Sequence, residues 1–135
     1  MQDSTILHRQ VHPKFIQDNK ISSQAFEVDP KPVGNIFSSV FVPSELDKNQ
    51  LSVYNGEKFN AEESFSHYTK TLESAGVVSV TIEECKSIDL DAVEDNKPFD
   101  GHSYIDFNTL GTSQAKVKAK KLKAKAVARD WTFKK

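Results

Sequence analysis

The sequence predicts an α+β fold, a single domain spanning 1–135 in which a mainly antiparallel sheet is packed by two principal helices. Segments near 6–12 and 102–107 alternate in polarity with period two, the mark of a strand with two different faces. Segments near 61–72 and 113–128 instead repeat apolar residues every three or four positions, the mark of an amphipathic helix. With 135 residues, 37% hydrophobic and 27% charged, the chain has the material for one core. A domain of that length buries roughly two-thirds of its unfolded surface.

In order, the first strand runs over 6–12, with Ile6, His8, Gln10 and His12 on one face and Leu7, Arg9 and Val11 on the other. Pro13 supports the extended form because it pushes His12 out of the helical region. A turn through 18–20 leads to a second strand over 21–26, which pairs with the first as a hairpin; the alternative for 14–17 is one helical turn. Residues 27–50 read as a loop-rich insertion, because Pro30, Pro32, Gly34 and Asn35 interrupt any ladder. Within it, 36–42 has strand composition and ends at Pro43, and 44–49 is polar linker.

Residues 51–54 read as a strand closed by Asn55 and Gly56. Asn60 followed by Glu63 has the spacing of a capping box and opens the helix over 61–72, whose apolar stripe is Ala61, Phe65, Tyr68 and Leu72. A β-branched strand follows over 77–80, and Thr81 with Glu84 caps a short helix containing Cys85. The acidic stretch 89–100 reads as loop. In 102–107, His102, Tyr104 and Asp106 face one way and Ser103, Ile105 and Phe107 the other. The last helix, 113–128, is basic; its narrow apolar face is Ala115, Ala119, Leu122 and Ala126. Trp131 and Phe133 fold back as a terminal strand or anchor.

The single cysteine rules out an intramolecular disulfide and a thiolate zinc site, and it points to a reducing compartment. The start of the chain lacks the pattern of a signal peptide, and runs such as Ala75–Val78 fall far short of a membrane span. The expectation is a cytoplasmic protein with no membrane association. No Walker loop, dinucleotide fingerprint, HExxH or GxSxG motif occurs, so neither a cofactor nor a resident metal is expected.

The net charge of −1 hides a polarity. Residues 101–135 carry nine basic and two acidic groups, leaving nine basic and seventeen acidic groups in residues 1–100. On the basic helix, Lys116, Lys120 and Lys123 form one row and Lys118, Lys121 and Lys125 another. Such rows suit an anionic partner, either nucleic acid or an acidic protein surface, and predict a small binding or accessory protein. The competing expectation is a solvated helix whose lysines face the acidic loop.

The alternative function belongs to another class. His8, Arg9, His12 and His102, with Asp106 beside His102, could form the cleft of a metal-independent ribonuclease or transferase, because two histidines can take and return a proton near neutral pH. A shared metal is disfavoured, since four strand residues separate His8 from His12 by about 13 Å. Arg9, placed between Leu7 and Val11, needs a carboxylate or an anionic ligand if buried, and Ser22, Ser23 and Gln24 on the adjacent expected strand offer neutral donors to such a pocket. His67 is expected in solvent, and Cys85 is expected to be a packed thiol.

Overall fold

A computed structural model of the protein describes residues 1–15, 38–42, 50–107 and 110–135. Strand β1, Ile6–Val11, lies inside an antiparallel sheet with β2 (Gln50–Asn55), β3 (Gly76–Thr81), β4 (Asp91–Glu94), β5 (His102–Asp106) and β6 (Phe133–Lys134). The order across the sheet is β4-β5-β2-β1-β3-β6. Three α-helices, α1 (Ala61–Tyr68), α2 (Ile82–Lys86) and α3 (Thr112–Arg129), and two 3-10 turns, Pro13–Phe15 and Ser38–Phe41, complete the described elements. The expected α+β architecture is therefore present.

One face of the sheet holds the apolar core. Leu7 and Val11 of β1, Leu51 and Val53 of β2, Val78 and Val80 of β3 and Ile105 of β5 are all buried there. Ala119, Leu122 and Ala126 of α3 close over them, so the expected apolar face of the basic helix is the one that packs. Leu122 is fully buried, and truncating such a side chain to alanine costs about 2–5 kcal/mol.

Local chemistry fixes the helix starts. Asn60 Oδ1 accepts the Glu63 N–H at 2.7 Å, and Glu63 Oε1 accepts the Asn60 N–H at 2.9 Å. Thr81 and Glu84 repeat this reciprocal cap at 3.1 and 2.8 Å. Helix α1 stops at Tyr68, short of the expected residue 72. The Thr69 hydroxyl donates to the Phe65 carbonyl at 2.7 Å, a local bond that competes with further helix, and Leu72 ends 57% exposed, off the expected apolar stripe.

Two other expectations are corrected. Residues 38–41, within the expected strand 36–42, form a 3-10 turn. Val40 and Phe41 are both fully buried against the core, which consecutive residues of a strand with a single buried face cannot be. The acidic stretch 89–100 contains β4, an edge strand on which Asp91 and Glu94 remain exposed. Pro13–Phe15 forms a short 3-10 turn, and Phe133 and Lys134 pair with β3 as the expected terminal strand. The expected hairpin partner 21–26, with Ser22, Ser23 and Gln24, lies outside the described residues, as does most of the insertion 27–50. Among the described residues no helix is long and apolar enough to cross a membrane.

Candidate functional site

The second face of the sheet is only half covered. Helix α1 packs on β1 and β3, and its buried residue is the polar Ser64. Ser64 Oγ accepts from Gln10 Nε2 at 2.9 Å, and Gln10 Oε1 accepts from the Ser74 hydroxyl at 2.9 Å. Every one of these buried polar groups is bonded, as burial requires. Beyond α1 the same face opens: Ser52 is exposed, and Tyr104 is only partly buried. A cleft of about 400 Å³ lies where the cover ends. It is lined by His8, Ser52, Tyr54 and His102 of the sheet, by His67 and Tyr68 of α1 with Leu72 after it, and by Pro98 and Phe99 of the β4–β5 connection.

Strand register lines up the floor. Ser79 stands opposite His8, His8 opposite Tyr54, and Tyr54 opposite His102, one row across β3, β1, β2 and β5. At the end of the row Asp95 Oδ1 lies 2.6 Å from His102 Nδ1. An ionised carboxylate only accepts, so Nδ1 is the nitrogen of His102 that donates. The connection between β4 and β5 holds this pair in place. Asn96 N–H donates to the His102 carbonyl at 2.9 Å, His102 N–H donates to the Phe99 carbonyl at 3.1 Å, and Asn96 Oδ1 accepts the Gly101 N–H at 2.9 Å. Gly101, at φ +100°, passes so close to Phe59 that an added Cβ would sit 2.5 Å from its ring.

His67 is fixed by a different partner. Its Nδ1 is 2.8 Å from the hydroxyl of Tyr54, a residue only 6% exposed. Burial, with Tyr68 nearby, pushes the Tyr54 phenol up to about 12, so it keeps its proton at neutral pH. That proton has His67 Nδ1 as its bonding partner among the described residues. The hydroxyl donates where His67 Nδ1 is unprotonated and accepts where Nδ1 carries the hydrogen. Phe99 sits beside both imidazoles, with ring centroids 4.3 Å from His67 and 5.4 Å from His102. The expectation that His67 is merely solvated is corrected: it lines the cleft.

The residues singled out from sequence divide sharply. His8 and His102 reach one cleft, but His8 Nδ1 is 2.8 Å from Ser79 Oγ and Nε2 is 3.1 Å from the Phe59 carbonyl. Burial lowers the His8 pKa to about 4, and the Phe59 carbonyl offsets only part of that, so His8 is neutral with both nitrogens engaged. It supports the floor and is not placed to relay protons. His12 lies outside the cleft lining, with its ring edge-on to Phe15 at 6.4 Å. The carboxylate of His102 is Asp95, not Asp106, which pairs with Gln50 and Asp91 at the far end of β5. Arg9 bonds two main-chain carbonyls, Val40 through Nε at 2.9 Å and Ser52 through Nη1 at 2.8 Å, tying the 3-10 turn to the sheet.

On α3 the lysines also part company. Lys123 is fully buried, which corrects its expected place in a solvated row, and burial lowers its pKa to about 8. Lys118 donates to the Ile88 carbonyl at 2.5 Å and lies 3.9 Å from Asp89, an acidic group of the kind expected to answer this helix. Lys121 is exposed, and Lys116, Lys120 and Lys125 are half-buried. Cys85 is fully buried, and burial followed by Glu84 pushes its thiol up to about 12, an unreactive packed side chain.

Asp95 and His67 are the site residues that sequence patterns did not identify. No periodic signal marks them, because Asp95 precedes a loop and His67 acts through a tyrosine thirteen residues away. The chain matches no protein-family model, no curated protein and no solved structure.

Proposed function

We propose that this protein is a binding module whose cleft between α1 and the β4–β5 connection takes a small uncharged ligand. The observation that carries the reading is the pair of histidines anchored through Nδ1, His67 by Tyr54 and His102 by Asp95, both lining one cleft. Fixed polar groups in a mainly apolar concavity are the usual anatomy of a ligand site. Among the described residues the lining carries no lysine and no carboxylate, and its arginine, Arg9, is bonded to two main-chain carbonyls. A charged ligand would find little compensation there. A fragment library screened by the Cε1–H resonances of the histidines tests this. Fragments are expected to move His67 and His102 and to leave His12 unmoved; a library that moves neither cleft histidine overturns it.

The lysines of α3 support a second surface on the same module, for a nucleic acid or an acidic protein. Lys116, Lys120 and Lys121 make no ion pair among the described residues, so their charge is available to such a partner.

A second reading, as a transferase or ribonuclease without a metal, is favoured by the Asp95–His102 pair alone. In that reading His102 Nε2 takes the proton of an attacking hydroxyl as its oxygen bonds the ester centre, and returns it to the leaving oxygen as that bond breaks. His8 and His12 have no part in it. Turnover of a ribodinucleotide that His102→Gln abolishes would favour this reading over simple binding.

A further inference from the structure

We propose that Phe99 is a built-in occupant of the cleft, an aromatic plug that a neutral aromatic ligand displaces, and that the Lys58–Asp100 ion pair is the latch that keeps it seated. The proposal rests on the binding reading of the cleft given above. The Phe99 ring lines the cleft, with its centroid 4.3 Å from that of His67, 5.1 Å from Tyr54, 5.4 Å from His102 and 5.9 Å from Phe59. It therefore fills the space between the two imidazoles. Tyr54 and His102 belong to strands, His67 to α1 and Phe59 to the short segment that joins β2 to α1. Phe99 alone comes from the tip of the β4–β5 connection, and it is only half-buried.

That connection is fastened at its base and lightly held at its tip. At the base Asn96 N–H donates to the His102 carbonyl at 2.9 Å, Gly101 N–H to Asn96 Oδ1 at 2.9 Å, and Asn55 N–H to the Gly101 carbonyl at 2.8 Å. Asn96, at φ +53°, and Gly101, at φ +100°, mark where the tip leaves and rejoins this base. Lys97, Pro98 and Asp100 between them are exposed. Besides the Phe99 ring, two polar contacts hold the tip among the described residues. The Phe99 carbonyl accepts from His102 N–H at 3.1 Å, and Asp100 Oδ1 accepts from Lys58 Nζ at 2.6 Å. The Asp100 side chain is 77% exposed and that of Lys58 36%, and an ion pair so placed is readily given up to water. Lifting the tip thus costs one main-chain bond and one exposed pair and leaves the base intact. The seat it vacates is bounded by the rings of Tyr54, Phe59, His67 and His102, whose edges and faces a neutral aromatic ring meets again as Phe99 did.

The test is an NMR titration of the full chain with indole and with cyclohexanol, following the Phe99 ring protons and the His67 and His102 Cε1–H resonances. Indole is expected to move both histidines and to return the Phe99 ring protons toward the positions of a phenylalanine in water, as neighbouring rings cease to shift them. A plug lowers apparent affinity by the fraction of time the seat is open, so Lys58→Met should tighten indole about threefold and Phe99→Ala about tenfold. Adding Lys58→Met to Phe99→Ala should change nothing further, because a latch without a plug has no effect. Each variant is checked for an amide spectrum unchanged outside residues 95–102, and Phe99→Leu, with the same direction expected, replaces Phe99→Ala if that chain does not fold. Indole bound by Phe99→Ala and by neither the parent nor Lys58→Met marks a cavity made by the substitution and overturns the proposal. So does indole binding that leaves the Phe99 ring unmoved, an indole affinity that Lys58→Met leaves unchanged, or cyclohexanol binding as tightly as indole. In each of these cases library fragments that still move the two histidines keep the cleft a ligand site. Fragments that move neither overturn the binding reading as well.

Discussion

Asp95 Oδ1 and His102 Nδ1 are 2.6 Å apart, and this one bond makes Nδ1 the donating nitrogen of His102. An asparagine at this position can turn its amide N–H toward Nδ1 and reverse the tautomer. Asp95→Asn is therefore expected to move the neutral His102 proton to Nε2, seen directly in imidazole nitrogen shifts. If His102 also transfers protons in a reaction, the same variant should lower turnover by about 10²–10⁴-fold. An unchanged tautomer would show that the carboxylate does not set the imidazole.

His8 predicts a specific acid sensitivity. Its folded pKa of about 4 lies below the unfolded value of 6.5, so folding favours the neutral ring. The contribution is fully present above pH 6.5 and is lost as pH falls through 4, by about 3 kcal/mol in all. His8→Gln should flatten that part of the urea-unfolding free energy between pH 6.5 and 4, compared with the parent chain. A parallel pH dependence in both proteins would contradict the burial of His8.

Lys123 follows the same physics, with the same sign, at higher pH. Its folded pKa of about 8 lies below the unfolded 10.5, so the penalty for burying the ammonium sets in as pH falls from 10.5 to 8 and is complete at neutrality. Lys123→Met, which keeps the stem and removes the charge, should raise stability at pH 7 by about 1–3 kcal/mol. Thermal unfolding at pH 7 and pH 10 checks both the sign and the narrowing of the difference.

If α3 meets a polyanion, replacing Lys116, Lys120 and Lys121 with glutamine should reduce the slope of log affinity against log salt by about 2–3 for double-stranded DNA. Lys123→Gln should leave that slope unchanged, because its side chain is fully buried. Fluorescence anisotropy across a salt series reads both. Equal slopes in the triple variant and the parent would assign these lysines to solvation alone.

Gly101→Ala tests the scaffold of the site. The new methyl would meet the Phe59 ring at 2.5 Å, and φ is +100°, so a loss of about 2–3 kcal/mol or more is expected. Because Phe59 packs on Tyr54, His67 and Phe99, the His67 resonance should shift along with the melting temperature.

Where the fold was legible, the cause was local. Asn60 with Glu63 and Thr81 with Glu84 announce their helices because both halves of each cap lie within three residues. The alternation of β1 survives for a related reason: its faces differ in chemistry, with Leu7 and Val11 in the apolar core and His8 and Gln10 in a bonded polar layer. β4 was hidden because an edge strand can keep acidic side chains in water. Val40 and Phe41 looked like strand residues, and only packing on α3 makes a 3-10 turn the better burial. In the site, His102 stood out by its strand, whereas Asp95 and His67 depend on register and on where α1 ends. Nothing in their immediate neighbours encodes those distances.

The position of β1 in the strand order bears on how the chain is made. Strand β1 lies between partners that follow it in the chain by about forty and seventy residues, β2 and β3, so its ladders close only after both have been made. Until then neither of these two neighbours covers its alternating apolar side chains, which are open to chaperones or to other chains on those flanks. Pauses in translation before β3 should therefore lower the yield of folded protein more than pauses after α3, when every described strand except the two-residue β6 has already appeared.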